Sequence, residues 1–146
     1  MIANHIIQAD IIADLLAHGT LTALLGSSSE IRESSYQGAD FAYPAVRLEV
    51  VSNTAITDRG ENCDHSSLLF IVRAYAEGGS SRVCNVIADA INTRFHRRNF
   101  HGTGWYTWIY NAGFNNPRRV QKNLWMAAVT FNGTVYPMGS FTPPVS

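Results

Sequence analysis

A change of hydrophobic period across a glycine pair constrains this chain most. From Ser67 to Ala76 the side chains alternate, with Leu68, Phe70, Val72 and Ala74 on one face and Leu69, Ile71, Arg73 and Tyr75 on the other. A period of two is a strand, and its second face reads as partly covered as well. After Gly78-Gly79 the period lengthens. Val83, Val86, Ile87, Ala90, Ile91, Arg94 and Phe95 recur at the spacing of an amphipathic helix packed on a sheet, with Ser80 or Ser81 as its cap. A strand feeding directly into such a helix calls for layered α and β structure.

The other segments fit that frame. Ile7, Ile11 and Leu15, flanked by Ile12 and Leu16, predict a helix from Asn4 to His18, with Asn4 as its cap, Asp10 and Asp14 facing out and Gly19 as its stop. A short turn of helix follows over Thr20–Leu25, and residues 27–40 are polar and irregular. Tyr43-Pro44 opens a strand in which Val46, Leu48 and Val50 alternate with Arg47, Glu49 and Val51. Between the two strands lie fourteen residues, Ser52–His65, far more than a tight hairpin needs. Two further strands are predicted over Trp105–Asn111 and Gln121–Asn132, with Gly113, Asn115-Asn116-Pro117 and Arg118-Arg119 forming the hairpin tip between them. From Gly133 to Ser146 periodicity fades and three prolines appear, which reads as an extended arm. The expectation is one α+β domain over residues 1–132 and a C-terminal arm over 133–146. Its sheet has four strands, mainly antiparallel, with two helices packed on one face and a long hairpin loop.

Composition excludes several classes. No apolar run approaches the ~18 residues of a membrane span, and the N-terminus does not read as a signal peptide. Two cysteines, Cys63 and Cys84, make no disulfide framework. Charged residues are 15% of the chain, against about 25% in an average soluble domain. Their distribution is more informative than their number. Ten of the eleven basic residues are Arg, the type favoured at protein interfaces, and the one Lys is Lys122. Every acid lies at or before Asp89, so residues 1–89 carry a balance of −6 and residues 90–146 a balance of +6. Two arrangements answer this. The halves neutralise each other within one fold, or copies of the chain stack head to tail.

Chemistry finds little support. Cys63-Asp64-His65 is a compact donor cluster, and His96 and His101 add two more, yet no Cys-x-x-Cys and no His-x-x-x-His is present. Cys84 reads as a small core residue. Asp58 and Glu61 flank Arg59, which favours local ion pairing over acid–base work. Gly78-Gly79 lacks the further glycines or the Gly-Lys-Ser/Thr of a phosphate loop. Arg97-Arg98 among Phe95, Phe100, Trp105, Tyr106 and Trp108 interleaves bases and aromatics as nucleic-acid binders do, although helix capping and sheet packing explain the same residues. No catalytic residue, cofactor or metal is expected.

The ordered set of segments resembles the tail-completion, or tail-terminator, proteins of long-tailed bacteriophages. The likeness rests on LLAHGTLTALLG, the polar gap, YPAVRLEVVS with its long loop, LLFIVRAYA and SSRVCNVIADAI, and it runs from about residue 6 to 131. The resemblance implies a small sheet flanked by helices in a structural virion protein without enzymatic activity. Subunits would form a ring, typically a hexamer, capping the head-proximal end of the tail. The implied partners are the chain itself, the tail-tube protein and the head–tail connector or stopper protein. DNA would pass through the ring without sequence-specific contacts, and no membrane is involved. Assembly would take place in the host cytoplasm. Candidate contacts with a neighbouring subunit or the tube are Asp58, Arg59 and Glu61 in the long loop, and Arg97, Arg98, Arg118 and Arg119 in the basic half. Tyr136 and Phe141 are candidate anchors of the arm. Another head–tail or neck component of similar fold, or a small metal- or nucleic-acid-binding protein, are the alternatives.

Overall fold

The computed structural model describes residues 2–25, 30–34, 43–56 and 65–137. Three helices, α1 (Asn4–Ala17), α2 (Gly19–Leu24) and α3 (Arg82–Phe95), accompany six strands. The strands are β1 (Ile31–Glu33), β2 (Ala45–Ala55), β3 (Ser66–Glu77), β4 (Arg98–Gly102), β5 (Trp105–Gln121) and β6 (Leu124–Pro137). They form one sheet in the order β1-β2-β3-β6-β5-β4, with β1 parallel to β2 and every other pair antiparallel.

This corrects the four-stranded antiparallel sheet expected from the sequence: the sheet is mixed and curled, with six strands among the described residues, and three helices accompany it. The two unforeseen strands are short. β1 has three residues and β4 five, too few for a period of two to show. β4 follows α3 through a turn in which Arg97 sits at φ 60°. The expected hairpin tip at Gly113–Arg119 is instead the middle of a 17-residue strand. β5 absorbs its turn-forming residues as bulges, with register shifts between Asn111 and Gly113, between Asn115 and Arg118, and between Arg119 and Gln121. Pro117 falls within one of these bulges, where no ladder bond is required of it. The true turn is Lys122-Asn123, with Asn123 at φ 61°, a left-handed conformation that Asn tolerates.

β6 runs on through Gly133 to Pro137, and Val135 is fully buried, so the strand crosses the boundary drawn at residue 132. Phe141 and the rest of 138–146 lie outside the described residues.

One core joins the helices to one face of the sheet. Ile7, Ile11 and Leu15 of α1 are buried as the periodicity predicts, and Leu21 of α2 is buried with them. They meet Val46 and Leu48 of β2, Leu68, Phe70 and Val72 of β3, and Val129 and Phe131 of β6. Phe70 stacks on Phe131 at 5.3 Å, and Phe95 of α3 meets both edge-on. α3 is rotated from its expected phase. It buries Cys84, Ile87, Ala88, Ile91 and Phe95, while Val83 and Val86 are each 45% exposed. Small residues set that phase: Cys84 donates to the carbonyl of Ala74 at 3.0 Å, so the helix lies close over the sheet where larger side chains would hold it off.

Candidate assembly surfaces

Ion pairs decide which of the segregated charges remain available. Asp14 of α1, expected to face solvent, turns instead to the C-terminal end of α3 and to β4. Its two oxygens accept from Arg94 at 3.0 and 3.1 Å and from Arg98 at 2.7 and 2.9 Å. Burial alone would raise its pKa, but the hydrogen bonds and charges of the two arginines outweigh that and hold the carboxyl below its ordinary range. Asp10, one turn earlier, accepts from Thr103 N–H, Thr103 Oγ1 and Trp105 Nε1, so it too is turned inward. Elsewhere Arg47 pairs with Glu30 in the interior and Arg73 with Glu49 at the surface. The two halves therefore neutralise each other in part. Arg98 is taken up inside the fold, whereas Arg97, Arg118, Arg119 and Lys122 are exposed and without an ion-pair partner among the described residues.

Spacing held no signal for the Asp14 cluster, because Arg94 lies on α3 and Arg98 opens β4 beyond a turn, and both meet an acid 80 or more residues earlier in the chain.

The face of the sheet away from the helices carries aromatic side chains. His101 of β4 stacks on Tyr106 of β5 at 6.0 Å, Tyr106 stacks on Tyr136 of β6 at 5.1 Å, and His65 meets Tyr136 edge-on at 4.5 Å. Trp108 and Tyr110, alternating with Tyr106 along β5, are 48% and 45% exposed. Exposed aromatics grouped on one face match the composition of protein interfaces. Tyr136 thus belongs to a cross-strand ladder on its own sheet. Nearer the β5–β6 turn, Ile71, Arg73, Asn115, Arg118, Met126 and Ala128 enclose a depression of about 320 Å³.

The nine candidate contact residues do not gather into one site. Asp58, Arg59, Glu61 and Phe141 lie outside the described residues. Arg97 stands at the α3–β4 turn, Arg98 is paired with Asp14, Arg118 and Arg119 lie near the β5–β6 turn, and Tyr136 lies near the opposite end of the sheet.

Among the described residues no group of three or more His, Cys, Asp or Glu side chains is placed to hold a metal, and no helix is long and apolar enough to cross a membrane. Burial pushes the Cys84 thiol up to about 11, partly offset by a backbone hydrogen bond at Ala127, so it stays protonated and unreactive at neutral pH.

No protein-family model matches the chain, and no curated protein matches it. Solved structures do. A chain from the virion of a native gene transfer agent particle superposes with a TM-score of 0.71 at 15% identity, over 90% of this chain and 95% of that one. A second solved chain superposes with a TM-score of 0.68, also at 15% identity, over 98% of this chain and 99% of the other. At such identity the finding is one of architecture: this chain has, almost end to end, the fold of a chain found in a gene transfer agent virion.

Proposed function

We propose that this chain is a structural component of a phage-like virion, and within it a tail terminator. In this reading copies assemble head to tail into a closed ring that caps the head-proximal end of the tail tube, stops its growth and offers its other side to the connector. DNA passes through the ring without being read, and the chain carries out no reaction of its own. The observation that carries the reading is the match to the gene transfer agent chain, which spans nearly the whole of both chains. The exposed aromatic face, and the exposed arginines that have no ion-pair partner among the described residues, support assembly, since a ring needs two different surfaces on each subunit.

Native mass spectrometry over a concentration series, alone and with tail-tube protein, tests it. The expected result is a closed multiple of the 16.1 kDa subunit, near six. A strict monomer under every condition overturns the ring. Binding to connector protein with none to the tube reassigns the chain to another part of the neck.

A further inference from the structure

Apart from Arg73, the run from Leu68 to Ala76 is apolar on both sides, the record of a strand that is covered above and below. The described helices cover one of those faces. On the other, Ile71 and Tyr75 of β3 are half-buried, and Ile71 borders the depression with Met126 and Ala128 of β6. α3 presents the converse surface. Its core side carries Cys84, Ile87, Ala88, Ile91 and Phe95, yet Val83 and Val86 stand outside the core with Arg82 and Asp89, all four exposed. A helix that is apolar in two directions has a second surface to bury.

The charges of these two surfaces are complementary and similarly spaced. Arg82 and Asp89 are two turns apart on α3, so about 10 Å separate them along one side of the helix. On the outer sheet face Arg118 of β5 is level with Met126, and Glu77 of β3 is level with Leu124. The two therefore stand across β6 from each other, roughly 12 Å apart. None of the four makes an ion pair among the described residues. Arg73, the other cation beside the depression, is already held by Glu49 at 2.8 Å. Asp89 can thus meet Arg118 while Arg82 meets Glu77, and Val86, between them on the helix, then falls over β6 at the depression.

We propose that α3 of one copy docks by its solvent side across the outer sheet face of the next copy, with Val86 in the depression, Asp89 on Arg118 and Arg82 on Glu77. The inference rests on the head-to-tail assembly proposed above and names the two surfaces that meet in it. They lie on opposite sides of one subunit, so the contact is heterologous, and each copy gives one surface and receives the other. Both ion pairs use a guanidinium group, which takes a carboxylate in a fixed bidentate geometry. Pairing two sheet faces with each other is the poorer arrangement, because it stops at two copies and leaves Val83 and Val86 uncovered.

The experiment compares the unmodified chain with Asp89→Arg, Arg118→Glu, the variant carrying both changes, and Val86→Arg, which sets bulk and like charge against the depression. All three positions are exposed, so the variants are expected to fold, and circular dichroism checks this. Native mass spectrometry over a concentration series, alone and with tail-tube protein, reads assembly. Each single variant is expected to raise the concentration needed for assembly tenfold or more. The charge-swapped double variant is expected to return to within about threefold of the unmodified value, since its signs again match. Assembly of the single variants at the unmodified concentration overturns the contact and leaves the ring reading standing, as does failure of the double variant to recover. An assembly that stops at two copies overturns it in favour of paired sheet faces. Loss of tube binding by Arg118→Glu with self-assembly intact overturns it in favour of tube protein on that face. If the unmodified chain stays monomeric under every condition, the ring reading is overturned and this contact with it.

Discussion

Asp14 and Arg98 lie 84 residues apart in the chain and 2.7 Å apart in space. Arg94 closes on the same carboxylate, so one acid of the first helix ties the end of α3 and the start of β4 together. The Asp14 side chain is 11% exposed, and the two arginines are 29% and 31% exposed. Replacing Asp14 with Asn keeps the shape and removes the charge that both guanidinium groups need. After discounting for the solvent around the arginines, the expected loss is about 1–2 kcal/mol of unfolding free energy, read by urea titration. A change below ~0.5 kcal/mol would reduce the cluster to a surface ion pair.

Acidification should weaken the protein in two stages around the same cluster. His18 is held below its ordinary value of 6.5, chiefly by burial and then by the charges of Arg94 and Arg98, with Asp14 opposing. The unfolded chain therefore takes up this proton first, and the contribution of His18 is complete above pH 6.5 and lost as the pH falls below it. Asp14, held below 3.8, contributes fully above that value and is lost on further acidification. Urea titrations from pH 8 to 3 on the chain and on His18→Gln separate the stages. The variant should lose less stability between pH 7 and 5 than the parent; an equal or steeper loss there speaks against the assignment.

The phase of α3 makes a sharp contrast between neighbouring residues. Ile87 is fully buried, so Ile87→Asp places an unpaired carboxylate in the core, a cost of several kcal/mol against a typical stability of about 5–15. Val86, one residue away and 45% exposed, should accept Asp with a change within about 1 kcal/mol. Far-ultraviolet circular dichroism and thermal melts compare the two. A folded Ile87→Asp protein, or an unfolded Val86→Asp protein, contradicts the helix face described here.

Gly102 is held to glycine by its surroundings. A Cβ there would run into the indole of Trp105 and the carboxylate of Asp10, which are hydrogen-bonded to each other at 2.6 Å. Both neighbours are fixed, Trp105 by complete burial and Asp10 by Thr103. Gly102→Ala should cost about 1–3 kcal/mol, typical of overpacking, and should quench or shift Trp105 fluorescence. Full stability in the alanine variant would mean that the β4–β5 turn can move aside.

What could be read from the sequence divides along physical lines. The stripe of α1 and the alternation of β2 and β3 were legible, because each buries one face and leaves a periodic record. Where two phases of one helix are both apolar, periodicity cannot choose. Val83 and Val86 fit a core face as well as Cys84 and Ala88 do, and the choice falls to close approach over Ala74 and Ala127. β1 and β4 are too short to leave a pattern. In β5 the local signals pointed the wrong way, since Asn115-Asn116-Pro117 is turn chemistry that the ladder to β6 overrides. Of the assembly surfaces, the imbalance of charge was visible from residue types alone. Its partial cancellation at Asp14 was not, because that depends on a contact between the first helix and the basic half.

The same turn chemistry gives β5 a second role and a last prediction. β4 pairs with β5 up to Ile109, so from Tyr110 to Gln121 the outer edge of β5 has no strand beside it among the described residues. Phe114 and Val120 are 41% and 42% exposed there, and an open apolar edge invites pairing with other chains. The bulges and Pro117 interrupt its row of backbone donors, and Arg118 and Arg119 add like charge that repels a second copy of the same edge. Replacing Pro117 with Thr and Arg118 with Val should leave the monomer folded yet raise light scattering and thioflavin binding at concentrations where the parent stays clear. Removal of either residue alone should have a smaller effect, since the two act by different means. If the double variant is as clear as the parent through a day at 37 °C, the bulges alone are sufficient to protect the edge.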